Sequence, residues 1–128
     1  TLVDAMIKHN ENLVIILAGY PKEMDELLQS NPGFSSRFKK FMHFPDYSVM
    51  ELLQIMKNYL DSYQYSLDEE AEEYLKGRLE EMEIDGNGRF AINLADNAIQ
   101  YQAQRLMNAG ENANASNLIK DDFKLVLE

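Results

Sequence analysis

Two arginines carry the side chains best suited to chemistry in this sequence, and the first is Arg37. It follows a polar, punctuated loop, Ser30–Ser36, and stands one residue before the apolar anchor Phe38. A guanidinium binds phosphate oxygens bidentately, and one that stabilises a phosphoryl group during transfer can raise the rate about 10³–10⁵-fold. Position alone favours a simpler interpretation, in which Arg37 is a solvated surface residue beside Lys39 and Lys40.

Arg89 is the second candidate, because Asn87 and Gly88 leave the backbone free to place it at the start of a helix. The helix dipole opposes a cation at this end unless an anion compensates, so a bound phosphate is one interpretation. The other is an exposed arginine that tolerates a small dipole penalty. The residues alone do not decide between them.

Other polar residues give weaker signals. Tyr20 follows an apolar run directly, where a plain turn accounts for it. His9 and His43 lack a carboxylate or cysteine partner at metal-ligand spacing, and the acids at 68–73 lack the glycine and spacing of a calcium loop. We therefore predict no metal site, and no Ser, His and Asp arrangement indicates nucleophilic catalysis.

The elements around Arg37 follow from local patterns. Leu13–Ala18 is an unbroken apolar run with the length of a strand buried on both faces. Pro21 suits the first turn of a helix, which we predict over Lys22–Gln29. After the loop that precedes Arg37, the short run Phe41–Phe44 predicts a second strand.

These parts do not complete a sheet by themselves. Thr1–Asn10 predicts the last turns of a helix that leads into the first strand. Because two strands are marginally stable at best, we expect the remaining strands to lie upstream of this chain.

The chain becomes helical from Ser48 onward. Ser48 with Glu51, and Ser66 with Glu69, predict capping boxes at the starts of two helices. A third helix is predicted over Arg89–Asn108, with Gly110 capping its end, and a fourth over Leu118–Leu127. Each helix has one apolar stripe, which favours a small four-helix bundle. The predicted inward positions are Leu52, Leu53, Ile55, Met56, Tyr59, Leu60 and Tyr63 in the first helix, Ala71, Tyr74, Leu75 and Leu79 in the second, Ala91, Leu94, Ala95, Ala98, Ile99 and Leu106 in the third, and Ile119, Phe123 and Val126 in the fourth.

Composition and charge exclude several classes of protein. The net charge is −10: residues 1–47 hold five Lys or Arg against six acids, and the rest hold seven against sixteen. An acidic surface is repelled by phosphate backbones, so we expect no nucleic-acid partner. No apolar run reaches the roughly 18 residues of a membrane span, so we expect no membrane partner. Without cysteine there is no disulfide framework, which permits a cytoplasmic location, the one we predict.

Four segments in order resemble a known family. Val14–Pro21, Asn31–Phe38, Phe44–Leu52 and Asp85–Asn93 are similar to the second half of an AAA+ ATPase module. The nearest branch is that of CbbX, stage V sporulation protein K and the ATPases of type VII secretion. The resemblance covers most of the chain.

The resemblance implies a mainly α fold. Residues 1–46 are expected to be the C-terminal part of the nucleotide-binding core, a partial αβ fragment with two short strands. Residues 47–128 are expected to form the four-helix AAA+ lid, hinged near Pro45, Asp46 and Tyr47.

The resemblance also implies roles for single residues. Arg37 falls on the arginine-finger position, which completes the site of the neighbouring subunit. Arg89 falls on the sensor 2 position, which reaches from the lid to the bound nucleotide. Tyr20 lies where most of the superfamily has the polar sensor 1 residue. Relatives often carry further basic residues where this chain has Ser35 and Ile92, so each site is left with one arginine.

The implied function is that of a ring ATPase, expected to be a hexamer, that couples ATP binding and hydrolysis to remodelling of an unidentified protein client. ATP or ADP with Mg²⁺ is expected in the intact protein, with none tightly bound to this chain alone. These residues contain neither a phosphate-cradling loop nor an acidic pair for Mg²⁺, so we expect the chain alone not to hydrolyse ATP.

A different class of function stays open. The bundle from Ser48 to Leu127 could be a non-catalytic helical module that binds a partner protein. A reading frame that continues upstream into a Gly-rich, Lys-containing loop would favour the ATPase, whereas a start codon just before Thr1 would favour the module.

Overall fold

The structure is a computed structural model that describes residues 2–9, 12–110 and 114–128. The ends of the helix predicted over Thr1–Asn10, at Thr1 and Asn10, lie outside the described residues. The chain divides into two compact units, Thr1–Phe44 and Pro45–Glu128. The assignment of residues 1–46 to an AAA+ core and 47–128 to a lid stays a prediction.

The first unit contains three helices, α1 (Leu2–Lys8), α2 (Pro21–Ser30) and α3 (Pro32–Arg37). The prediction of a helix over 22–29 is confirmed, and Pro21 is its first residue, where the missing N–H is not needed. Neither α2 nor α3 has a buried residue.

The loop predicted over Ser30–Ser36 is wrong, because most of it forms α3. Asn31 is the reason: its Oδ1 accepts a hydrogen bond from Gly33 N at 2.8 Å, which caps the helix. Pro32 then stands at the first helical position, where its fixed φ already suits a helix.

The two strands predicted in the first unit are also absent from the described residues. Residues 13–20 and 38–48, which include 13–18 and 41–44, have no regular secondary structure. A strand exists only when its backbone groups pair with a neighbour, and no described segment of this unit supplies one. Val14 and Ile16 are each 85% exposed and Phe44 is 82% exposed.

The second unit confirms the prediction of four helices and thus the mainly α fold class. They are α4 (Val49–Ser62), α5 (Glu69–Glu81), α6 (Asn87–Ala109) and α7 (Lys120–Leu127). The two strands of the described chain lie here rather than in the first unit. They are β1 (Ser66–Leu67) and β2 (Asn117–Leu118), paired in parallel with Ser66 opposite Asn117 and Leu67 opposite Leu118.

Local capping signals set several of the helix ends. The capping box at Ser48 and Glu51 is confirmed: Glu51 N donates to Ser48 Oγ at 3.2 Å, and Ser48 N donates to Glu51 Oε2 at 2.8 Å. Gly110 follows the end of α6 with φ of +83°, a conformation that suits glycine.

The second predicted capping box, at Ser66 and Glu69, is wrong. Ser66 is not a cap, because its N–H pairs with Ser116 O at 2.7 Å and commits it to β1. Asp68 caps α5 instead, with Oδ1 accepting from Glu70 N at 2.8 Å.

All four helices of the second unit share one hydrophobic core with β2. Most residues of the predicted apolar stripes are buried in this core or pack against it. The prediction for Tyr63 is wrong: it follows the last residue of α4 and is 62% exposed. The core residues are Leu52, Leu53, Met56, Leu60, Ala71, Leu75, Leu79, Ala91, Leu94, Ala95, Ala98, Leu118 and Phe123.

A polar cluster beside this core attaches β2 and α7 to α6. Asp122 is only 1% exposed and accepts from Arg105 Nε at 2.9 Å and from Ile119 N at 2.9 Å. Gln102, also buried, donates to the carbonyls of Ala115 and Asn117, each at 3.0 Å. The pKa of Arg105 is raised, chiefly by its hydrogen bond to the Asp122 carboxylate. These pairings leave the carboxylate and the two carbonyls satisfied.

No helix in the described ranges is both long enough and apolar enough to cross a membrane.

Candidate functional site

Arg89 lies in the first turn of α6, where the prediction placed it near a helix start. Its side chain is exposed and, within the described residues, has no hydrogen bond or ion pair. The amide groups of this turn carry partial positive charge, so the guanidinium is held in a locally unfavourable field. An anion that contacts both the guanidinium and the helix start would relieve this, which suits a phosphate.

The turn that places Arg89 has an unusual backbone. Gly86 has φ of +89° and Asn87 has φ of +45°. Glycine adopts this left-handed region freely, and asparagine does so more readily than most other residues. The sequence analysis named Asn87 and Gly88, but not Gly86, for backbone freedom. The helix begins at Asn87 rather than at Arg89 as predicted.

The side chain of Asn87 ties this turn to the start of the second unit. Its Nδ2 donates to Asp46 Oδ1 at 2.8 Å, and its Oδ1 accepts from Tyr47 N at 3.0 Å. At Gly88, a Cβ atom would lie 3.7 Å from Cε2 of the Tyr47 ring, so the ring packs close to the glycine backbone. Sequence analysis missed Asn87 as a contact, because the partners are about 40 residues apart and no local pattern joins them.

Arg37 is the last residue of α3, in the first unit. It is half-buried, and its Nη1 donates to Gly33 O at 2.9 Å and to Ser36 Oγ at 3.4 Å. These bonds anchor one edge of the guanidinium to its own helix. Within the described residues Nε and Nη2 have no protein partner, so a fork of donors remains for an external acceptor.

Tyr20 immediately precedes α2 and is 79% exposed. Its side chain makes no capping hydrogen bond; only its backbone carbonyl serves the helix, by accepting from Met24 N at 2.9 Å. No described hydrogen bond joins Tyr20 to Arg37. The structure therefore gives Tyr20 a helix-boundary position and, among the described residues, no chemical partner.

The described residues contain no group of three or more His, Asp or Glu side chains arranged to hold a metal ion. Of the two arginines that the sequence singled out, Arg37 lies in the first unit and Arg89 in the second, and each has guanidinium donors without a partner among the described residues.

Comparison with known families gives a match to the AAA lid domain over residues 48–128, which is more than half of the chain. The chain belongs to the AAA+ ATPases. Within them it falls in the branch of CbbX and stage V sporulation protein K, as the resemblance of its motifs predicted.

Relatives of this branch align along most of the chain. It is 41% identical to stage V sporulation protein K of Bacillus subtilis in an alignment of 115 positions that covers 82% of this chain and 36% of the relative. It is 42% identical to the CfxQ homolog of Guillardia theta over 86% of this chain and 39% of the relative. It is 40% identical to CbbX of Cereibacter sphaeroides over 84% of this chain and 36% of the relative. The chain thus spans little more than a third of the length of these AAA+ relatives.

Proposed function

We propose that this chain supplies the arginine finger and the sensor 2 arginine of an AAA+ ATPase that couples ATP binding and hydrolysis to remodelling of a protein client. The observation that carries the proposal is the guanidinium of Arg89 at the start of α6, without a partner among the described residues, in a chain of this family. A cation kept in an unfavourable dipole field in this way is best explained by an anionic ligand.

Arg89 would contact the nucleotide phosphates of its own subunit. The lid helix α6 places it near the amide groups of the first turn, so phosphate oxygens would meet two kinds of donor. A charge-assisted hydrogen bond is worth about 1.5–3 kcal/mol, roughly a tenfold to hundredfold change in affinity. We therefore assign Arg89 mainly to nucleotide binding.

Arg37 would act on the site of the next subunit. Its Nη1 is fixed by Gly33 and Ser36, which reduces the rotamer freedom lost when the remaining donors bind. A preorganised guanidinium stabilises the charge that spreads over the phosphoryl group in the transition state. Arg37 is therefore assigned to turnover rather than to binding.

The remaining parts of the proposal concern the whole protein. ATP or ADP with Mg²⁺ would be cradled by residues outside this chain, and the subunits would form a ring, in our proposal a hexamer. Rotation of the lid would couple hydrolysis to movement of the client. The absence of cysteine is compatible with the cytoplasmic location that we propose.

The test is a steady-state ATPase and nucleotide-binding assay on the full-length protein. Arg37→Ala should lower kcat about 10³-fold with nucleotide affinity nearly unchanged, whereas Arg89→Ala should weaken nucleotide binding about tenfold or more. Lys39→Ala and Lys76→Ala are the matched controls, since both remove an exposed cation. Wild-type turnover and affinity in both arginine variants would overturn the proposal and favour a non-catalytic interaction module.

A further inference from the structure

Asn87 uses its whole carboxamide to hold one short segment of chain. We call Pro45–Tyr47 the junction segment, since it begins the second unit. The amide nitrogen of Asn87 donates to the Asp46 carboxylate at 2.8 Å, and its oxygen accepts from Tyr47 N at 3.0 Å. We call these two hydrogen bonds, from Asn87 to Asp46 and from Tyr47 to Asn87, the clip. A hydrogen bond to a charged group is among the stronger ones, so the clip is more than an incidental surface contact.

The backbone beside Asn87 is compatible with these hydrogen bonds. Asn87 adopts φ of +45°, a left-handed conformation that asparagine and aspartate adopt more readily than most other residues. A Cβ added at Gly88 would make ordinary van der Waals contacts, 3.7 Å from Cε2 of the Tyr47 ring and 3.9 Å from Cδ1 of Ile55, so the start of α6 packs against the junction segment. Arg89 follows Gly88 directly.

We propose that Asn87 is a positioning residue: by fixing the junction segment to the start of α6, it orients Arg89 toward the nucleotide phosphate. This inference depends on the proposed role of Arg89. Backbone hydrogen bonds from Arg89 N at 3.0 Å and Phe90 N at 3.4 Å to Gly86 O hold the first turn of α6 together. The bonds of Asn87 fix this turn to the junction segment, so they determine where Arg89 lies relative to that segment. A misplaced guanidinium would weaken its charge-assisted hydrogen bond to the phosphate and so lower the affinity for nucleotide.

The inference can be tested by exchanging the amide of Asn87 and the carboxylate of Asp46. Asn87→Asp places a second carboxylate against Asp46, so the 2.8 Å contact becomes repulsive. Asp46→Asn alone keeps an oxygen that can accept from Asn87. The double variant Asp46→Asn/Asn87→Asp restores both bonds, because the new carboxylate at position 87 accepts from the new amide at position 46 and from Tyr47 N.

The measurement is the affinity of the full-length protein for a fluorescent ATP analogue. We expect Asn87→Asp to bind about tenfold more weakly. Asp46→Asn and the double variant should each bind within about twofold of wild type. Asn108→Asp, an exposed change with the same charge in the same helix, is the control and should bind as wild type.

The effect of Asn87→Asp on affinity in a protein that lacks Arg89 distinguishes a positioning role from general destabilisation of the fold. In the Arg89→Ala background, Asn87→Asp should have no further effect on affinity, because the side chain it positions is gone. The inference would be overturned if Asp46→Asn/Asn87→Asp bound as weakly as Asn87→Asp alone, or if Asn87→Asp bound as wild type. It would also be overturned if Asn87→Asp lost as much affinity in the Arg89→Ala background as in the wild-type protein. If Arg89→Ala itself bound the analogue as wild type, the proposed sensor role would fail instead, and the inference with it.

Discussion

The two units of this chain use similar apolar sequence in opposite ways. In Pro45–Glu128, thirteen apolar side chains from four helices and β2 are buried in one core. In Thr1–Phe44, apolar side chains such as Val14 and Ile16 stay 85% exposed. The second unit completes its own core, whereas the first has, within the described residues, no partner for its most apolar runs.

The difference shows what each type of secondary structure requires. A helix satisfies most of its backbone hydrogen bonds within one segment, so α2, which begins at Pro21, and α3, which begins at Pro32 after the Asn31 cap, form without any buried residue. A strand satisfies them only against a neighbour, so the run 13–18 has the composition of a buried strand without becoming one. We interpret the first unit as a surface that other segments of an AAA+ core would cover.

The largest expected effect on stability comes from comparing alanine substitutions of two phenylalanines, one in each unit. Phe123→Ala should destabilise the second unit by about 3–5 kcal/mol, because the side chain is fully buried and its removal leaves a cavity. Phe44→Ala removes an equal side chain that is 82% exposed, so it should change stability by less than about 0.5 kcal/mol. Urea unfolding of this chain, followed by circular dichroism, measures both. Equal losses would contradict the contrast between the units.

A second experiment tests the polar cluster in the second unit. Arg105→Met should cost about 3–5 kcal/mol, since it keeps most of the aliphatic packing and leaves the Asp122 carboxylate buried with a lost ionic partner. Adding Asp122→Asn to Arg105→Met should recover part of the loss, because a neutral amide costs less to bury than an unpaired charge. Lys76→Met, at an exposed position, is the control. If Arg105→Met left the free energy of unfolding unchanged, the Asp122 carboxylate would be solvated.

The smallest expected effect is a pH-dependent change in stability at alkaline pH. Tyr59 donates to Asp96 Oδ1 at 2.6 Å, and this hydrogen bond, with some burial and the nearby carboxylate charge, raises the pKa of Tyr59 from 10.0 to about 12. The hydrogen bond needs the protonated phenol, so its stabilisation is complete below about pH 10 and is lost as the pH rises through about 12.

Tyr59→Phe should therefore be slightly less stable than wild type at about pH 8, and the difference should shrink between about pH 10 and 12. Urea midpoints at these pH values measure it, and Tyr101→Phe, for which no such hydrogen bond is described, is the control. A difference that stays constant to about pH 12 would contradict the assignment of the raised pKa to this bond.

Sequence patterns predicted the elements that depend on neighbouring residues. The four helices of the second unit, their apolar stripes and the capping box at Ser48 follow from spacings of three and four residues. The error at Ser66 arose because pairing with β2, some 50 residues away, competes with a local cap. Contacts such as Arg105 with Asp122 and Asn87 with Asp46 join distant segments, so spacing gave no signal for them.

The candidate site was predictable to a different degree in each unit. Residue type singled out both arginines, together with a predicted helix start for Arg89 and the end of a polar loop for Arg37. Their roles came from the resemblance to AAA+ proteins. The contacts of Arg37 with Gly33 and Ser36, and those of Asn87 near Arg89, were not predictable. The anchoring of Arg37 depends on α3, which the sequence analysis took for a loop.

The central claim is that the two units serve different active sites: Arg89 its own subunit and Arg37 the neighbouring one. The most direct measurement is the ATPase rate of a mixture of full-length Arg37→Ala and Arg89→Ala subunits, reassembled after dissociation. Where an Arg89→Ala subunit supplies its intact Arg37 to the site of an Arg37→Ala subunit, that site holds both arginines. We predict that the mixture is substantially more active than either variant alone. A mixture no more active than the separate variants would contradict the claim.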